Sequence, residues 1–241
     1  MKPPGIKPDL PDAAKLLRKK TPWDALDEAR FAKATAAFRV RKRARGEILF
    51  ARGDAFEELF VVAQGRVKVG LTGPDGREQI VSIATAGTTI AEAPLDAAPG
   101  RYFVTASALD DTVAWSFPRR ELDRLLADSP SFASAFLVLV AKRVRALVEL
   151  VEGIALRGVP ERLASFLLAH ARREGASGDR PFAITRSLAV ETVAGRLGTV
   201  REEVQRALRL LADEEIIELS RREIVILDLD RLERASWAPL R

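Results

Sequence analysis

The chain has 241 residues, enough for one large or two modest domains, and its 47% hydrophobic and 30% charged residues are an ordinary globular composition. It contains no cysteine, which excludes disulfides, thiolate metal sites, cysteine nucleophiles and iron–sulfur clusters held by cysteine. The net charge of +5 is concentrated in residues 1–45, with 13 Lys or Arg against 5 Asp or Glu, so bulk charge alone is weak support for a polyanionic partner.

The first 22 residues are rich in proline and lysine, and we expect them to form a loose arm or a short helix. They show no signal-peptide h-region, and no apolar run in the chain approaches the roughly 18 residues of a membrane span. We therefore expect a cytoplasmic protein that does not bind a membrane.

Short β-rich runs separated by glycines fill the next part of the chain, from about residue 46: GEILFARGD, LFVVAQGRVKVGLTGPDGREQIVSI and FVTASALDDTVAWSF. The runs VKVGL and QIVSI flank Gly-Pro-Asp-Gly at residues 73–76, a pattern typical of a hairpin. The pattern predicts a compact antiparallel sandwich or barrel within residues 23–129.

Residues 130–158 are predicted to form one long helix with a heptad series of apolar residues: Leu137, Val140, Val144, Leu147, Val151 and Ile154. Two such helices would bury this seam against each other as a coiled coil. The alternative is that the seam packs against the chain's own β domain. We favour the dimer seam, because a second apolar set remains to face that domain: Phe132, Phe136, Leu139 and Leu150.

Residues 159–241 carry the pattern of a helix–turn–helix. After the break at Gly158-Val159-Pro160, the segment ERLASFLLAHARR predicts a helix. A strand from Phe182, helices at about 187–197 and 200–212, and the hairpin IIELSRREIVILD follow. Small Ala194 and the turn residue Gly198 suit a close helix pair. The second helix has an apolar stripe at Val200, Val204, Leu208 and Leu211.

This order of elements resembles the Crp/Fnr superfamily of bacterial transcription regulators over about residues 45–230. The motifs that carry the resemblance are GEILFARGD, LFVVAQGRVKV, the segment from AEAPLD to ALDDT, and REEVQR with its hairpin. Within this superfamily, the motifs AEA and VAGxL most resemble those of the nitric-oxide and nitrate-respiration regulators. The resemblance implies an α+β fold: an antiparallel β-roll sensor domain, a long dimerisation helix and a C-terminal winged helix–turn–helix. It also implies a homodimer whose partners are double-stranded DNA and RNA polymerase.

The resemblance implies DNA-reading roles for the second helix of this motif. In members similar to the cyclic-AMP receptor, an Arg-Glu-x-x-x-Arg set reads a TGTGA-type half-site, and Arg201, Glu202 and Arg206 match that set. Gln205 stands at the variable position, and Thr199 precedes the set. Arginine forks fit guanine O6 and N7, and a carboxylate accepts from cytosine N4. The alternative for Glu202 is the last position of a capping box that begins at Thr199.

The resemblance also defines an effector pocket, and here the sequence departs from members that bind cyclic nucleotides. Their Gly-Glu pair is Ala91-Glu92, and their phosphate-clamping arginine position holds Tyr102, with Arg101 one residue early. The long helix lacks their Thr-Ser pair. We therefore expect no useful affinity for cyclic AMP. The candidate pocket residues are Ala91, Glu92, Arg101, Tyr102, Val140, Val144 and Leu147.

The identity of the effector stays open. Relatives with the AEA wording are associated with haem and nitric-oxide sensing, so a haem-based redox-responsive regulator is an alternative, with haem in an apolar space between the roll and the long helix. The single histidine, His170, lies outside that region, and Tyr102, Phe103 and Trp115 fit a plain core equally well. The sequence shows no catalytic constellation and no metal-ligand cluster, so we do not expect an enzyme. The remaining alternative is a ligand-binding protein whose helix–turn–helix does not read DNA.

Overall fold

The computed structural model describes residues 10–20, 22–92, 100–176, 181–185 and 188–237. The chain divides into two compact units. The first comprises Met1–Leu71 and Val81–Ala146, and the second comprises Thr72–Ile80 and Leu147–Arg241. None of the helices among the described residues is long and apolar enough to span a membrane.

Two four-stranded sheets form the β-roll, with strand orders β1-β8-β3-β6 and β2-β7-β4-β5. The strands are β1 Arg39–Arg43, β2 Ile48–Phe50, β3 Glu58–Gln64, β4 Val67–Thr72, β5 Glu78–Ala84, β6 Thr89–Ile90, β7 Thr105–Ala108 and β8 Thr112–Pro118. In the antiparallel β3–β8 pair, Val61 lies opposite Trp115. Strands β4 and β5 are hydrogen-bonded neighbours on either side of the Gly-Pro-Asp-Gly turn, so the predicted hairpin and the antiparallel roll are confirmed.

Aromatic residues from the helices around the roll complete its core. Helix α1 (Leu10–Leu17), a 3-10 turn (Trp23–Ala25) and α2 (Glu28–Ala37) precede the strands. The Trp23 ring is fully buried and makes an edge contact with Phe38, at 5.0 Å between ring centroids, and with Phe117 at 5.2 Å. Such pairs add stabilisation to the free energy of burial itself, so this cluster anchors the N-terminal segment on the sheet.

Two helices follow the last strand of the roll: α3 (Arg119–Asp128) and the long α4 (Pro130–Leu156). The first turns of α4 bury Phe132 and Phe136 in the core of the roll. Further along, every residue from 141 to 149 except Arg143 is exposed. A helix exposed on nearly all sides is not stabilised by its own chain, which shows that the middle of α4 gains little from packing within the monomer.

The second unit builds a separate core from four helices and a small sheet of order β10-β11-β9. Its elements are α5 Val159–Arg173, β9 Phe182–Thr185, α6 Val190–Leu197, α7 Arg201–Asp213, β10 Ile217–Leu219, β11 Glu223–Ile226 and α8 Leu229–Ala235. Leu163 and Leu167 of α5 share this core with Leu208 and Leu211 of α7. The helix–turn–helix and its hairpin wing are therefore confirmed.

Several elements of the fold were not predicted, among them α2, β1 and α8. The basic run RVRKRAR contains strand β1, which pairs antiparallel with β8 from Arg39 opposite Ser116 to Arg43 opposite Thr112. Helix α8 follows the wing, and its N-cap Asp228 accepts a hydrogen bond from the Arg231 amide at 2.8 Å. Strand β1 lies at the edge of its sheet, where charged side chains are common. It therefore lacks the alternation of apolar and polar residues by which a strand is recognised in a sequence.

Candidate nucleic-acid interface and effector site

Helices α6 and α7 are joined by a turn that brings them into close contact. Gly198 ends α6 in the left-handed conformation, with φ of 66°, and its amide donates to the carbonyl of Ala194. The buried side chain of Ala194 is a single methyl group, which leaves room for α7. The turn residue and the small residue thus lie where the helix–turn–helix prediction requires them.

Helix α7 has one buried and one exposed face. The buried face holds four apolar residues: Val204, Ala207, Leu208 and Leu211. At about 100° per residue, the predicted reading side chains fall on the opposite side. They are Arg201, Glu202, Gln205 and Arg206. Of these, Gln205 is half-buried and the other three are exposed, so the helix presents a polar face with its apolar face locked into the core.

The first residues of this segment differ from the prediction. Val200 is exposed because it is the N-cap of α7 and therefore lies outside the helix, so it does not extend the buried stripe. Because the N-cap is Val200, with no side-chain hydrogen bond at the cap, the capping box proposed for Thr199 and Glu202 does not form. Thr199 is half-buried in the turn, and its amide donates to the carbonyl of Ala194 at 3.0 Å.

Both arginines of the predicted reading set are held by acidic neighbours. The Arg201 guanidinium donates to the Glu191 carboxylate at 2.7 Å, and Arg206 donates to Glu203 at 2.8 Å. Glu202 makes no hydrogen bond with any residue in the described part of the chain, although it lies between the two arginines. Exposed ion pairs contribute little stability, so both arginines can exchange these partners for others at small cost.

The wing adds two arginines that the sequence analysis missed. Arg221 and Arg222 are exposed at the turn between β10 and β11. The Ser220 hydroxyl accepts from the amides of Arg222 at 3.3 Å and Glu223 at 2.9 Å, which fixes the turn. The sequence SRRE at residues 220–223 could have indicated them, because a serine that favours a turn is followed there by two arginines within a predicted hairpin.

An ion pair with a buried carboxylate occupies the candidate effector region of the roll. The Glu92 side chain is 7% exposed, and Arg143 of α4 donates to its carboxylate through Nε. The Nη2 of Arg143 donates to the carbonyl of Thr89 at 2.6 Å. Arg143 was also missed by the sequence analysis, although its spacing of seven from Phe136 places it on the face of α4 that packs against the roll.

The remaining candidate residues of the roll have separate environments. Tyr102 is buried and stacks on Phe50 with 4.1 Å between ring centroids, and its hydroxyl donates to the carbonyl of Glu58 at 2.7 Å. Burial raises the pKa of the Tyr102 phenol to about 12. Arg101 is exposed, and its guanidinium donates to the carbonyl of Gly53 at 2.7 Å. Ala91 has a left-handed backbone with φ of 68°, a conformation that favours glycine.

Residues 93–99, which begin with the last alanine of the AEA motif, lie outside the described residues. Of the candidate pocket residues on α4, Val140 is half-buried and packs on the core of the roll, whereas Val144 and Leu147 are exposed. Phe103 is exposed as well, so the expectation that it belongs to the core is wrong. Trp115 is buried in the core, as that expectation required.

The predicted seam of α4 is apolar and open. Five of its six residues are exposed in the single chain: Leu137, Val144, Leu147, Val151 and Ile154. Of the four residues expected to face the β domain, Phe132 and Phe136 are buried, and Leu139 and Leu150 are half-buried. The two apolar faces of the helix therefore differ in exposure within the single chain, and the dimer seam itself stays a prediction.

Two family models match the chain. Residues 40–129 match the cyclic nucleotide-binding domain, and residues 161–235 match the Crp-like helix-turn-helix domain. A curated relative, the CRP-like cAMP-activated global transcriptional regulator of Mycobacterium tuberculosis, is 30% identical over 79% of this chain and 84% of its own length. The chain belongs to the Crp/Fnr family of transcription regulators. The transcriptional activator protein Anr of Pseudomonas protegens is 26% identical over 85% of this Crp/Fnr regulator and 80% of its own length.

Solved structures share the fold of this Crp/Fnr regulator. FixK2 from Bradyrhizobium japonicum has a TM-score of 0.72 and 22% identity, covering 83% of this chain and 98% of that one. A CooA mutant from Carboxydothermus hydrogenoformans has a TM-score of 0.71 and 22% identity, covering 83% and 88%. Family members are transcription regulators and not enzymes. The closer resemblance to the nitric-oxide branch stays a prediction.

Few side chains in the described part of the roll are of a type that ligates haem iron. Proteins ligate haem iron mainly through His, Cys, Met or Tyr, and the chain has one His, one Met, one Tyr and no Cys. Tyr102 is the candidate inside the roll, but its hydroxyl is bonded to the backbone and its raised pKa disfavours the phenolate. His170 lies on α5 in the second unit, with its Nε2 3.1 Å from the Glu174 Oε1, and lines an apolar cavity of about 60 Å³ in that unit.

Proposed function

We propose that this Crp/Fnr regulator acts as a homodimer that reads a palindromic, TGTGA-like DNA site through α7. The observation that carries the proposal is the polar face of α7, on which Arg201, Glu202 and Arg206 stand exposed and opposite a buried apolar face. A helix whose apolar face is packed in the core can enter the major groove with its exposed face, so that its polar side chains reach the base edges. RNA polymerase would be the further partner, as the family implies.

The acidic residue is the strongest argument for base reading. A carboxylate on a helix that merely rests on the phosphate backbone would be repelled by it. Glu202 is exposed and has no role as a cap, so its position between Arg201 and Arg206 favours a contact with the amino group of a cytosine. The two arginines would then leave Glu191 and Glu203 for guanine edges.

The wing supplies positioning contacts. Arg221 and Arg222 lie at a turn fixed by Ser220, and exposed arginines on such a turn suit phosphate oxygens. Phosphate contacts fix the register of a protein on the duplex without reading its sequence. We assign base reading to α7 and backbone contact to the wing.

The open seam of α4 supports the homodimer. Its exposed side chains repeat at spacings of three and four, which is the pattern that two helices bury together. Two-fold symmetry of the protein matches a palindrome whose half-sites lie about one helical turn, roughly 34 Å, apart.

The effector of the roll is neither cyclic AMP nor a haem held by protein side chains, in this proposal. The two residues at the expected phosphate clamp are used otherwise, since Tyr102 bonds to Glu58 and Arg101 bonds to Gly53. Glu92 is already neutralised by Arg143. An effector would have to act on this pair, because it joins the roll to α4 and α4 carries the seam.

Arginine-to-alanine variants at two positions test the division of roles. A palindrome selected from random DNA by the wild-type protein is compared with a scrambled duplex of the same composition. Arg206→Ala should cost roughly 1–3 kcal/mol on the selected site and less on the scrambled one, because a bidentate base contact is lost. Arg222→Ala is the matched control and should weaken both equally and reduce the salt slope by about one. Equal losses on both duplexes for Arg206→Ala would contradict base reading.

A further inference from the structure

The junction between α4 and α5 is short and is held by side chains of the second unit. Helix α4 ends at Leu156, and α5 begins at Val159 with Gly158 as its N-cap. The Arg162 guanidinium donates to the carbonyl of Arg157 at 2.7 Å. It therefore satisfies a carbonyl that the end of α4 leaves without a helical partner.

Arg157, in the middle of this junction, contacts three separate elements. Its Nη2 donates to the Glu152 carboxylate of α4 at 2.6 Å. Its Nη1 donates to the Ser165 hydroxyl of α5 at 3.0 Å and to the carbonyl of Ser236, after α8, at 3.3 Å. The Arg157 side chain is only 15% exposed, so these bonds form largely out of water. One guanidinium thus ties the end of α4 to both α5 and the C-terminal segment.

Trp237 covers the guanidinium from the C-terminal side. The Arg157 Cζ lies 3.8 Å from the centroid of the Trp237 ring, which is within the range of a cation–π contact. The Trp237 side chain is nevertheless 67% exposed. A large aromatic residue that is mostly exposed gains little from burial, so the contact with Arg157 is a main interaction of its ring, beside the hydrogen bond from its amide to the carbonyl of Arg234 at 3.1 Å.

The C-terminal segment is itself fixed on α5. Leu232 and Ala235 of α8 are buried in the core that α5 shares with α7. Arg172 of α5 also donates to Glu233 of α8 at 2.7 Å. Because α5, α7 and α8 share one core, the tilt of α5 against the last turns of α4 also sets the tilt of α7.

We infer that Arg157 and Trp237 form a clamp that positions the reading helix, with Arg157 as the positioning residue and Trp237 as its cover. The inference rests on the proposed function. The clamp fixes the angle between the last two turns of α4 and α5, and in a dimer joined through α4 this angle sets the distance between the two α7 helices. A planar guanidinium suits the task because its donors point in fixed directions, which an ammonium group cannot reproduce.

The test uses the full-length protein and the palindrome selected by the wild type, with a second palindrome that has one base pair inserted between its half-sites. Trp237→Ala should lower affinity for the selected palindrome by about two- to five-fold, the fold-change of one cation–π contact. It should lower affinity for the lengthened palindrome less, because a loosened junction tolerates other spacings. Trp237→Phe keeps an aromatic face and should remain within about two-fold of wild type on both. Arg157→Lys keeps the charge, loses the fork and should behave like Trp237→Ala.

Hydrogen exchange of the free proteins gives a readout that does not depend on DNA. In Trp237→Ala the amides of Arg157 and Arg162, bonded to Gly153 and Gly158, should exchange faster, whereas those of α2 in the first unit should not change. Unchanged exchange at the junction would overturn the clamp. Faster exchange with equal losses on both palindromes would overturn its positioning role, since a merely structural effect lowers both affinities alike. A wild type that selects no palindrome would instead refute the proposed function, while the exchange data still decide whether the clamp exists.

Discussion

Replacing Leu147 by aspartate is the sharpest test of the α4 seam. Leu147 lies in the middle of the seam and is 42% exposed in the single chain. Full burial of a leucine side chain contributes about 1.5–3 kcal/mol. Burial of the exposed part of Leu147 in a dimer therefore contributes about 1 kcal/mol per chain to the free energy of dimerisation. A symmetric dimer contains the residue twice, so the lost burial alone weakens dimerisation by about 30-fold. Two facing carboxylates without cations add several kcal/mol of desolvation and repulsion, so we expect a loss of at least about 1000-fold.

The matched control is Ala146→Asp. Ala146 is exposed on the same turn of α4, about 100° around the helix from Leu147, and the substitution adds the same charge. Sedimentation velocity over a range of concentrations should give a monomer for Leu147→Asp and a dimer for Ala146→Asp, with the same helical content by circular dichroism. If the Leu147→Asp dimer dissociated no more readily than wild type, or if the control lost the dimer equally, the seam would be wrongly assigned.

Two further predictions concern the roll. The Arg66 guanidinium donates to Asp110 and holds the pKa of that carboxyl below its usual value, so the pair stabilises the fold above about pH 4 and this stabilisation is lost as acid protonates Asp110. Urea unfolding of Asp110→Asn should therefore show lower stability than wild type at pH 7 and a shrinking difference on acidification; a difference independent of pH would contradict the pair. For the effector, 1 mM cyclic AMP should leave the melting temperature unchanged, whereas a site with a dissociation constant of about 10 µM would stabilise the protein by about 2.7 kcal/mol.

The elements with strong periodicity were predictable, and they position the candidate interface. Helix α7 was recognised because its buried residues recur at helical spacing. The turn before it was recognised from Gly198, since glycine is the residue that most readily adopts the left-handed backbone found there. The error at Val200 is a matter of one residue at a helix end, where an apolar side chain can sit at the N-cap as readily as in the first turn.

Long-range polar contacts were not predictable in the same way. Arg143 and Glu92 are 51 positions apart, and no local pattern relates them. An arginine on the roll-facing side of an otherwise apolar stripe was nonetheless a signal, because a cation that is taken partly out of water requires a partner. Strand β1 gave no such signal, since its charged residues satisfy an edge strand and an unstructured tract equally well.

The long helix unites the separate parts of the proposed mechanism, because three of its surfaces have different tasks. Phe132 and Phe136 fix its start in the roll, and Arg143 ties the next turns to the buried Glu92. The exposed seam is the surface that we propose a second copy covers, and Glu152, near the end of the helix, accepts a hydrogen bond from Arg157. A ligand changes such a system only through a difference in its affinity for two states. Moving from 1% to 99% of the reading-competent state requires about 5.5 kcal/mol of that difference. Removing the partner of the buried Glu92 carboxylate costs several kcal/mol, whereas an exposed pair such as Arg206 with Glu203 contributes at most about 1 kcal/mol. Among the described residues, the Glu92–Arg143 pair is the contact between the roll and α4 on which we propose that an effector acts.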